Sequence, residues 1–306
     1  MNDKSPNATP ATETSDPDFL VMKNVNVALG DRIVLHDIHL TIRAGEHLAI
    51  LGPNGCGKST LIRTMNCELY PLIPSNASHT HTASPTLTPV LPSISIFGRP
   101  RWDLTQLRQH FGVVSDSLPG LQSFTRTAAD SAGSTTARTV GVDAVIAGFF
   151  SASTLWPNLI VTEDMRTRAA QALARMDASH LAQQPIGEMS AGEKRRILIA
   201  RALVHRPRQL LLDEPSNALD LAAQRSLRET MRTLMQPDSE GHSTGLILVT
   251  HHLADIPPEI DRILLMRNGR IEHDGPREEL LTPAVLTDLF GTEIRIGHDE
   301  HWLHSW

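Results

Sequence analysis

The sequence predicts an α/β protein with a parallel-sheet core, an N-terminal antiparallel β subdomain and a helical insert. Three observations lead to this fold class. LLLDEP at 210–215 and GLILVTHH at 245–252 are apolar runs that end in polar residues, as strands buried in a parallel sheet do. A glycine-rich loop at 52–60 lies between an apolar strand and a helical segment. Near the N-terminus, two β-type runs flank the turn dipeptide Gly30-Asp31, which predicts a hairpin.

Composition divides the chain into three regions. Residues 1–18 are rich in Pro, Thr, Asn and Asp, which predicts a disordered tail. Residues 19–297 carry the strand and helix patterns and are expected to form the folded domain that carries the motifs described below. Residues 298–306 are expected to be a His-rich C-terminal tail.

Two stretches interrupt the regular patterns of the domain. Residues from about 71 to 93 and from about 123 to 139 are rich in Pro, Ser, Thr and Ala, and we expect loop insertions there. The stretch from about 117 to 205 is mostly helical in pattern and predicts the helical subdomain.

Charge and cysteine content exclude several classes of protein. Lys and Arg number 28 against 34 Asp and Glu, so the net charge of -6 argues against broad nucleic-acid binding. Two cysteines are too few for a disulfide framework. The polar start lacks the apolar stretch of a signal peptide, and the apolar uncharged run at 144–161 is interrupted by polar residues and Pro157. We therefore expect a soluble chain, for which any membrane role must come through a partner.

The glycine-rich loop GPNGCGKST matches the phosphate-binding pattern G-x-x-x-x-G-K-[ST]. Its glycines let backbone N–H groups converge on phosphate oxygens, and the helix N-terminus adds its dipole. Lys58 should reach the β- and γ-phosphates, and the Ser59 hydroxyl should hold Mg²⁺. Cys56 is expected to be a small residue that fits the loop. The candidate ATP-binding residues are Gly52, Pro53, Asn54, Gly55, Cys56, Gly57, Lys58, Ser59 and Thr60.

Two adjacent carboxylates follow the apolar strand at 210–212. Asp213 and Glu214 would lie at the carboxyl edge of the sheet, where ligands of α/β proteins bind. Asp213 would hold Mg²⁺, directly or through water, and Glu214 would polarise the attacking water as the catalytic base.

The pattern of a helix start lies at Ser190, 23 residues before Asp213. Ser190 and Glu193 form the pattern of a capping box that opens the helical segment EKRRILIARALV. Taken alone, this pattern indicates an ordinary helix N-terminus. A further role is implied only by the resemblance of the whole set of motifs to a known family.

The ordered set GPNGCGKST, MSAGEKRRILIARAL, LLLDEP, SNALD and VTHH resembles the nucleotide-binding subunits of ABC transporters over about residues 19–292. The resemblance implies a P-loop NTPase fold with a RecA-like core, and a homodimer, or a heterodimer with a similar ATPase, that closes head to tail on two ATP molecules. Asp220 would be the D-loop aspartate, His251 would contact the γ-phosphate as a second catalytic residue, and His252 would be structural. The signature residues that would complete the partner's ATP site in trans are Ser190, Ala191, Gly192 and Glu193.

Smaller details resemble one branch of the family. GVVSDSL, AVIAGFF and THHLADIPPEIDRILLMRNGRI look like small stand-alone ATPases of iron-complex or molybdate type. That branch implies a separate transmembrane permease as partner and a peripheral location on the cytoplasmic face of the membrane.

Two positions depart from the family pattern. Leu29 stands where an aromatic residue usually stacks on adenine, which predicts an apolar contact. The usual glutamine after the strand FGVV is absent, with Ser115-Asp116 at that point and Gln122 as an alternative after a shifted loop.

The histidines offer a metal hypothesis. His298, His301 and His304 could share one face of a helix, and SHTHT adds His79 and His81. The alternative is that these are solvated tail and loop residues, because no cysteines or ordered carboxylates accompany them.

Two functions of different class remain open. The first is the energy-coupling subunit of a membrane transporter, with a membrane protein docked near residues 115–160. The second is a soluble, non-transport ABC ATPase acting as a regulatory module on a protein or nucleic-acid target. A P-loop kinase would leave the signature and the strand before His251 without a role.

Overall fold

The computed structural model describes residues 18–73, 93–115, 139–299 and 302–305. Its centre is a six-stranded sheet in the order β5-β6-β7-β3-β8-β9. The first five of these strands are parallel, and β9 runs antiparallel to β8. Their bounds are β3 Leu48–Leu51, β5 Phe111–Val114, β6 Gln209–Asp213, β7 Gly245–Thr250, β8 Arg262–Arg267 and β9 Arg270–Pro276.

The N-terminal subdomain is a three-stranded antiparallel sheet in the order β2-β1-β4. It comprises β1 Leu20–Leu29, β2 Arg32–Ile42 and β4 Ser93–Ile96. β1 and β2 form the expected hairpin, whose turn uses the positive φ of Gly30. Buried and exposed residues alternate along both strands because one face packs on the core. The parallel core, this antiparallel sheet and the fold class predicted from the sequence are therefore confirmed.

Helices connect and cover the sheets. The chain from 139 to 203 is largely helical, as expected for the helical subdomain, and contains α3, α4 and α5. The helix bounds are α1 Lys58–Met65, α2 Leu104–His110, α3 Gly141–Ile146, α4 Glu163–Arg175, α5 Ala191–Leu203, α6 Leu221–Met235, α7 Arg277–Leu280 and α8 Pro283–Phe290. None of the helices within the described ranges combines the length and the apolar character that a membrane span needs.

Two hydrophobic cores lie on opposite faces of the central sheet. Successive side chains of a strand point to opposite faces, so Leu210 and Leu212 of β6 pack with the helical subdomain, whereas Leu211 packs with the antiparallel sheet. Burial on both faces explains why this strand is an unbroken apolar run. It also holds the two carboxylates that follow the run at a fixed edge of the sheet.

The C-terminal residues form an antiparallel β-ribbon, with β10 at Ile296–Asp299 and β11 at Trp302–Ser305. The helical arrangement considered for His298 and His304 is therefore wrong. Within the described residues, no group of three or more His, Cys, Asp or Glu side chains could hold a metal ion. The backbone of β11 lies beside the short 3-10 turn Leu253–Asp255 that follows β7.

Several expectations concern residues outside the described ranges. The disordered tail at 1–18 and most of the insertions near 71–93 and 123–139 stay predictions. The same holds for the histidines and the polar residues that the sequence analysis named there, which are His79, His81, Asp116, Gln122 and His301.

Candidate functional site

The phosphate-binding loop joins β3 to α1 at the carboxyl edge of the central sheet. Gly57 caps α1 with φ 110 and Gly55 has φ 78, conformations that favour glycine. At Gly52 a Cβ atom would lie 2.3 Å from the carbonyl oxygen of Met266 and 2.7 Å from Sγ of Cys56. The glycines of the pattern are therefore required by the tight turn and by close packing against β8.

A second glycine turn braces the loop from behind. The N–H of Gly269, between β8 and β9, donates to the carbonyl oxygen of Cys56 over 2.8 Å, and the N–H of His36 donates to the carbonyl oxygen of Gly269 over 2.8 Å. A Cβ at Gly269 would lie 1.9 Å from the carbonyl oxygen of Val34, and one at Gly57 would lie 3.0 Å from Leu35. The β1–β2 hairpin and the phosphate-binding loop are thus held against each other through this turn.

Lys58 points back along its own loop. Its Nζ donates to the carbonyl oxygens of Gly52 over 2.7 Å and Pro53 over 3.2 Å, and the side chain is buried. Ser59, the next residue, is exposed at the start of α1. Burial raises the pKa of the Cys56 thiol, so the protonated form is favoured, as fits a small packing residue rather than a nucleophile.

The two carboxylates end β6, between β5 and β7. Asp213 Oδ2 accepts a hydrogen bond of 2.6 Å from the hydroxyl of Ser115, which follows β5 and is 1% exposed. Glu214 has a positive φ of 45, a conformation that costs a non-glycine residue about 1–2 kcal/mol. Its N–H is held by the carbonyl oxygen of Val249 at 2.7 Å. Such strain is characteristic of functional positions.

The carboxylate of Glu214 lies between two side chains of the neighbouring loops. Oε2 accepts from Nδ2 of Asn217 over 2.7 Å, and Oε1 lies 3.0 Å from Nδ1 of His251. That nitrogen of His251 is buried and makes no hydrogen bond with any residue that the structure describes. The structure therefore brings together the two residues that the sequence analysis assigns to catalysis.

A buried carboxylate behind these residues ties the ends of β6 and β7 together. Asp255, 3% exposed, accepts from the hydroxyl of Ser216 and, over 3.1 Å, from that of Thr250. The Thr250 hydroxyl in turn accepts from the N–H of His252 over 3.0 Å. Asp255 is a residue that the sequence analysis missed, because its partners lie on other loops.

The signature residues begin α5 with a complete capping box. The Glu193 N–H donates to Ser190 Oγ over 3.3 Å, and the Ser190 N–H donates to Glu193 Oε2 over 2.7 Å. This second bond lowers the pKa of Glu193. Ser190 and Ala191 are exposed at the helix start. The capping box predicted from the sequence is confirmed.

Asp220, expected from the resemblance to be the D-loop aspartate, lies next to the residues expected to form the signature. Asp220 caps α6 by accepting from the Ala223 N–H over 2.8 Å. A Cβ on Gly192 would lie 3.1 Å from Cβ of Ala223, so the starts of α5 and α6 are in contact. Leu221 beside Asp220 is 82% exposed. One surface of the chain therefore carries both sequence elements together with an exposed apolar side chain.

Leu29 is 40% exposed at the end of β1 and lies on the hairpin that the Gly269 turn attaches to the phosphate-binding loop. Ile33 on β2, paired with Ala28, is 42% exposed. Leu29, which stands where the family usually has an aromatic residue, and Ile33 are thus two exposed aliphatic side chains on this hairpin.

Comparison with known proteins decides the family. The family model described as ABC transporter matches residues 35–217, a range that includes the phosphate-binding loop, Ser190 and Asp213. The chain belongs to the ABC transporter family. The resemblance inferred from the five motifs is confirmed, and this family member is an ABC ATPase of the ATP-binding subunit type.

Two hemin import ATP-binding proteins align with this ABC transporter family member over most of their length. The hemin import ATP-binding protein HmuV of Hahella chejuensis is 32% identical over 279 residues, covering 89% of this chain and 92% of that protein. HmuV of Photobacterium damselae subsp. damselae is 29% identical over 290 residues, covering 92% and 93%. Among solved structures, cbiO1 from Clostridium perfringens, part of an ABC transporter complex, matches with a TM-score of 0.65 and 24% identity, covering 89% and 94%. At that identity the structural likeness shows the fold.

Proposed function

We propose that this chain is the Mg²⁺-dependent ATPase subunit of a membrane transporter and that it hydrolyses ATP as a head-to-tail dimer. The observation that carries the proposal is the placement of Glu214 beside His251, at the same sheet edge from which the phosphate-binding loop departs. A carboxylate base, an imidazole and a cradle of backbone N–H groups at one edge are the parts that phosphoryl transfer to water requires.

ATP binding is assigned to residues 52–60. The backbone N–H groups of the loop and the start of α1 would hold the phosphates. Lys58 would exchange the carbonyl oxygens of Gly52 and Pro53 for β- and γ-phosphate oxygens, which gain more from its charge. Leu29 and Ile33 would provide an apolar contact for the adenine ring.

The donor set fits Mg²⁺. The Ser59 hydroxyl and the Asp213 carboxylate offer oxygen ligands, the type that Mg²⁺ prefers, and a site of this kind usually adds phosphate oxygens and water. When bound, Mg²⁺ neutralises charge on the phosphates. Ser59 and Asp213 would therefore hold the metal against the nucleotide.

Hydrolysis is assigned to Glu214 and His251. A water oxygen would attack the γ-phosphorus while Glu214 takes its proton, and the bond from phosphorus to the bridging oxygen of ADP would break. His251 would donate a hydrogen bond to the γ-phosphate. Asn217 would keep the Glu214 carboxylate in place through the hydrogen bond to Oε2.

The dimer is supported by what one surface exposes. Ser190 and Ala191 are exposed at the start of α5, next to Asp220 at the start of α6. A helix start with exposed N–H groups is suited to an anion, here the γ-phosphate bound by the partner protomer. Leu221 would be covered in the closed dimer.

A membrane partner would dock at a polar groove of about 120 Å³ between β5 and the helical subdomain. Its lining includes Gly148, Ser151 and Ser153, within the 115–160 region where the sequence predicts docking. Arg201, deep in the groove, has its pKa lowered to about 10 by burial. Binding at this groove would keep the chain on the cytoplasmic face of the membrane.

The test uses a hydrolysis-deficient trap. Tagged Glu214→Gln protein is purified with ATP from detergent-solubilised cells, with Glu279→Gln as a control that changes an exposed carboxylate on α7. We expect a stoichiometric multi-spanning membrane protein with the first variant in excess over the control. A soluble partner, or a homodimer free of membrane protein, would instead support the non-transport ABC ATPase.

A further inference from the structure

Ser115 makes a buried contact with the residue assigned to Mg²⁺. Its hydroxyl donates to Oδ2 of Asp213 over 2.6 Å, and the side chain is 1% exposed. Ser115 comes to this place because β5 and β6 are paired in parallel with Val114 opposite Leu212. Asp213 itself is only half-buried, and a hydroxyl–carboxylate hydrogen bond of this length is of the charge-assisted kind.

The contact differs from what a serine at a strand end usually does. Serine hydroxyls at such places bond to nearby backbone groups, whereas this hydroxyl reaches a carboxylate 98 residues away in the chain. That carboxylate belongs to Asp213, the last residue of β6, at the carboxyl edge of the central sheet. The serine also stands where this chain departs from the family pattern, directly after FGVV.

We propose that Ser115 is a positioning residue that sets the affinity of the ATP site for Mg²⁺ through Asp213; this rests on the proposed function. The hydrogen bond holds the carboxylate in one orientation, so no rotamer freedom is lost when the metal binds. Outer hydrogen-bond partners of metal ligands act in this way, and their removal typically costs about 10–100-fold in metal affinity.

The experiment measures how Mg²⁺ changes the binding of a fluorescent ATP analogue to the full chain. The variants are Ser115→Ala, Ser115→Thr, which keeps the hydroxyl, and Thr244→Val. The last removes a buried hydroxyl bond to the Pro207 carbonyl oxygen, beside the opposite end of β7. We expect Ser115→Ala to bind the analogue normally without metal but to need about tenfold or more Mg²⁺ for half-maximal enhancement. Ser115→Thr should recover much of the loss, and Thr244→Val should titrate like the wild type.

A second readout is the number of Mn²⁺ ions bound with the nucleotide, counted by electron paramagnetic resonance at a fixed Mn²⁺ concentration. Wild-type values for Ser115→Ala in both measurements would overturn the proposal. If Ser115→Ala does not fold, Ser115→Cys, whose thiol is a weak donor, takes its place, and a wild-type Mg²⁺ titration overturns the proposal equally. Asp213→Asn distinguishes a failure of this proposal from a failure of the proposed function. An unchanged Mg²⁺ titration with that variant would reject the metal site itself and with it the proposed function.

Discussion

Nδ1 of His251 lies 3.0 Å from Oε1 of Glu214, across the gap between the ends of β7 and β6. The two residues are delivered by adjacent parallel strands, so their separation depends on strand pairing rather than on a local loop. Glu214 is further held by a strained backbone and by Asn217. The Glu214 carboxylate is therefore ordered by its surroundings within a single protomer.

Replacing Glu214 by glutamine should abolish most hydrolysis while ATP remains bound. The amide keeps the shape and the acceptor oxygen but cannot take a proton from water, and general-base catalysis contributes about 10²–10⁴-fold. Phosphate release is the measurement for the rate, and equilibrium dialysis is that for binding. Glu279→Gln, at an exposed carboxylate on α7, should hydrolyse at the wild-type rate. Turnover of Glu214→Gln near that rate would remove Glu214 from the mechanism.

Lys58→Ala should lose nucleotide binding itself. The ammonium group makes charge-assisted hydrogen bonds to phosphates in the proposed complex, and each such bond is worth about 1.5–3 kcal/mol, or roughly 10–100-fold in affinity. Titration calorimetry with ATP measures the loss. An unchanged dissociation constant would show that Lys58 stays on the carbonyl oxygens of its own loop.

Gly269→Ala should destabilise the fold and weaken nucleotide binding together. The new Cβ would meet the Val34 carbonyl oxygen, and φ at this position is 74, so we expect a cost on the order of 2–5 kcal/mol. Gly241→Ala is the matched control, because φ there is 84 but the space around it is open. Urea unfolding compares the two variants. If both variants lose the same free energy of unfolding, the contact of the new Cβ with the Val34 carbonyl oxygen adds no cost to that of the backbone conformation.

Alkylation of Cys56 should be slow at neutral pH and should accelerate at higher pH than for an exposed thiol. Burial raises the pKa of its thiol, and only the thiolate reacts. Because the folded state holds this proton more tightly than the unfolded state, its contribution to stability is lost as the pH rises through the folded-state pKa. Mass spectrometry after iodoacetamide treatment follows Cys56 and Cys67 separately. ATP should slow the reaction of Cys56 further, and fast labelling at pH 7 would contradict the assignment.

Leu221→Asp should prevent the ATP-dependent dimer without affecting ATP binding. The side chain is 82% exposed beside Asp220, and burying a charge there on closure would be unfavourable. Light scattering of the Glu214→Gln background with ATP measures the dimer. Ile160→Asp, at a side chain that is also 82% exposed, is the control and should dimerise normally. A normal dimer with Leu221→Asp would place the interface elsewhere.

Much of the site could be predicted because the relevant signals are local. The phosphate-binding loop, the capping box of Ser190 and Glu193, and the apolar run before Asp213 are each encoded within a few neighbouring residues. The contacts that could not be predicted join distant segments, such as Ser115 with Asp213 and Ser216 with Asp255, which are 98 and 39 residues apart. They exist only once strand order has placed β5, β6 and β7 side by side.

The secondary structure of the C-terminal residues could not be predicted from the sequence. Four-residue segments such as 296–299 and 302–305 are too short for hydrophobic periodicity to separate a strand from a helix. The two segments pair with each other as strands beside Leu253–Asp255, and this pairing is not visible in the spacing of the histidines.

The burial of β6 on both faces makes the site resistant to gradual change. If the strand slipped by one residue, Leu211 would exchange cores with its neighbours and Asp213 would no longer lie opposite Val249. Both hydrophobic cores would have to repack at the same moment that the carboxylates moved. We therefore expect insertions or deletions inside this strand to prevent folding rather than to alter the rate of catalysis. Changes in the loops that follow the strand can alter activity without disturbing either core.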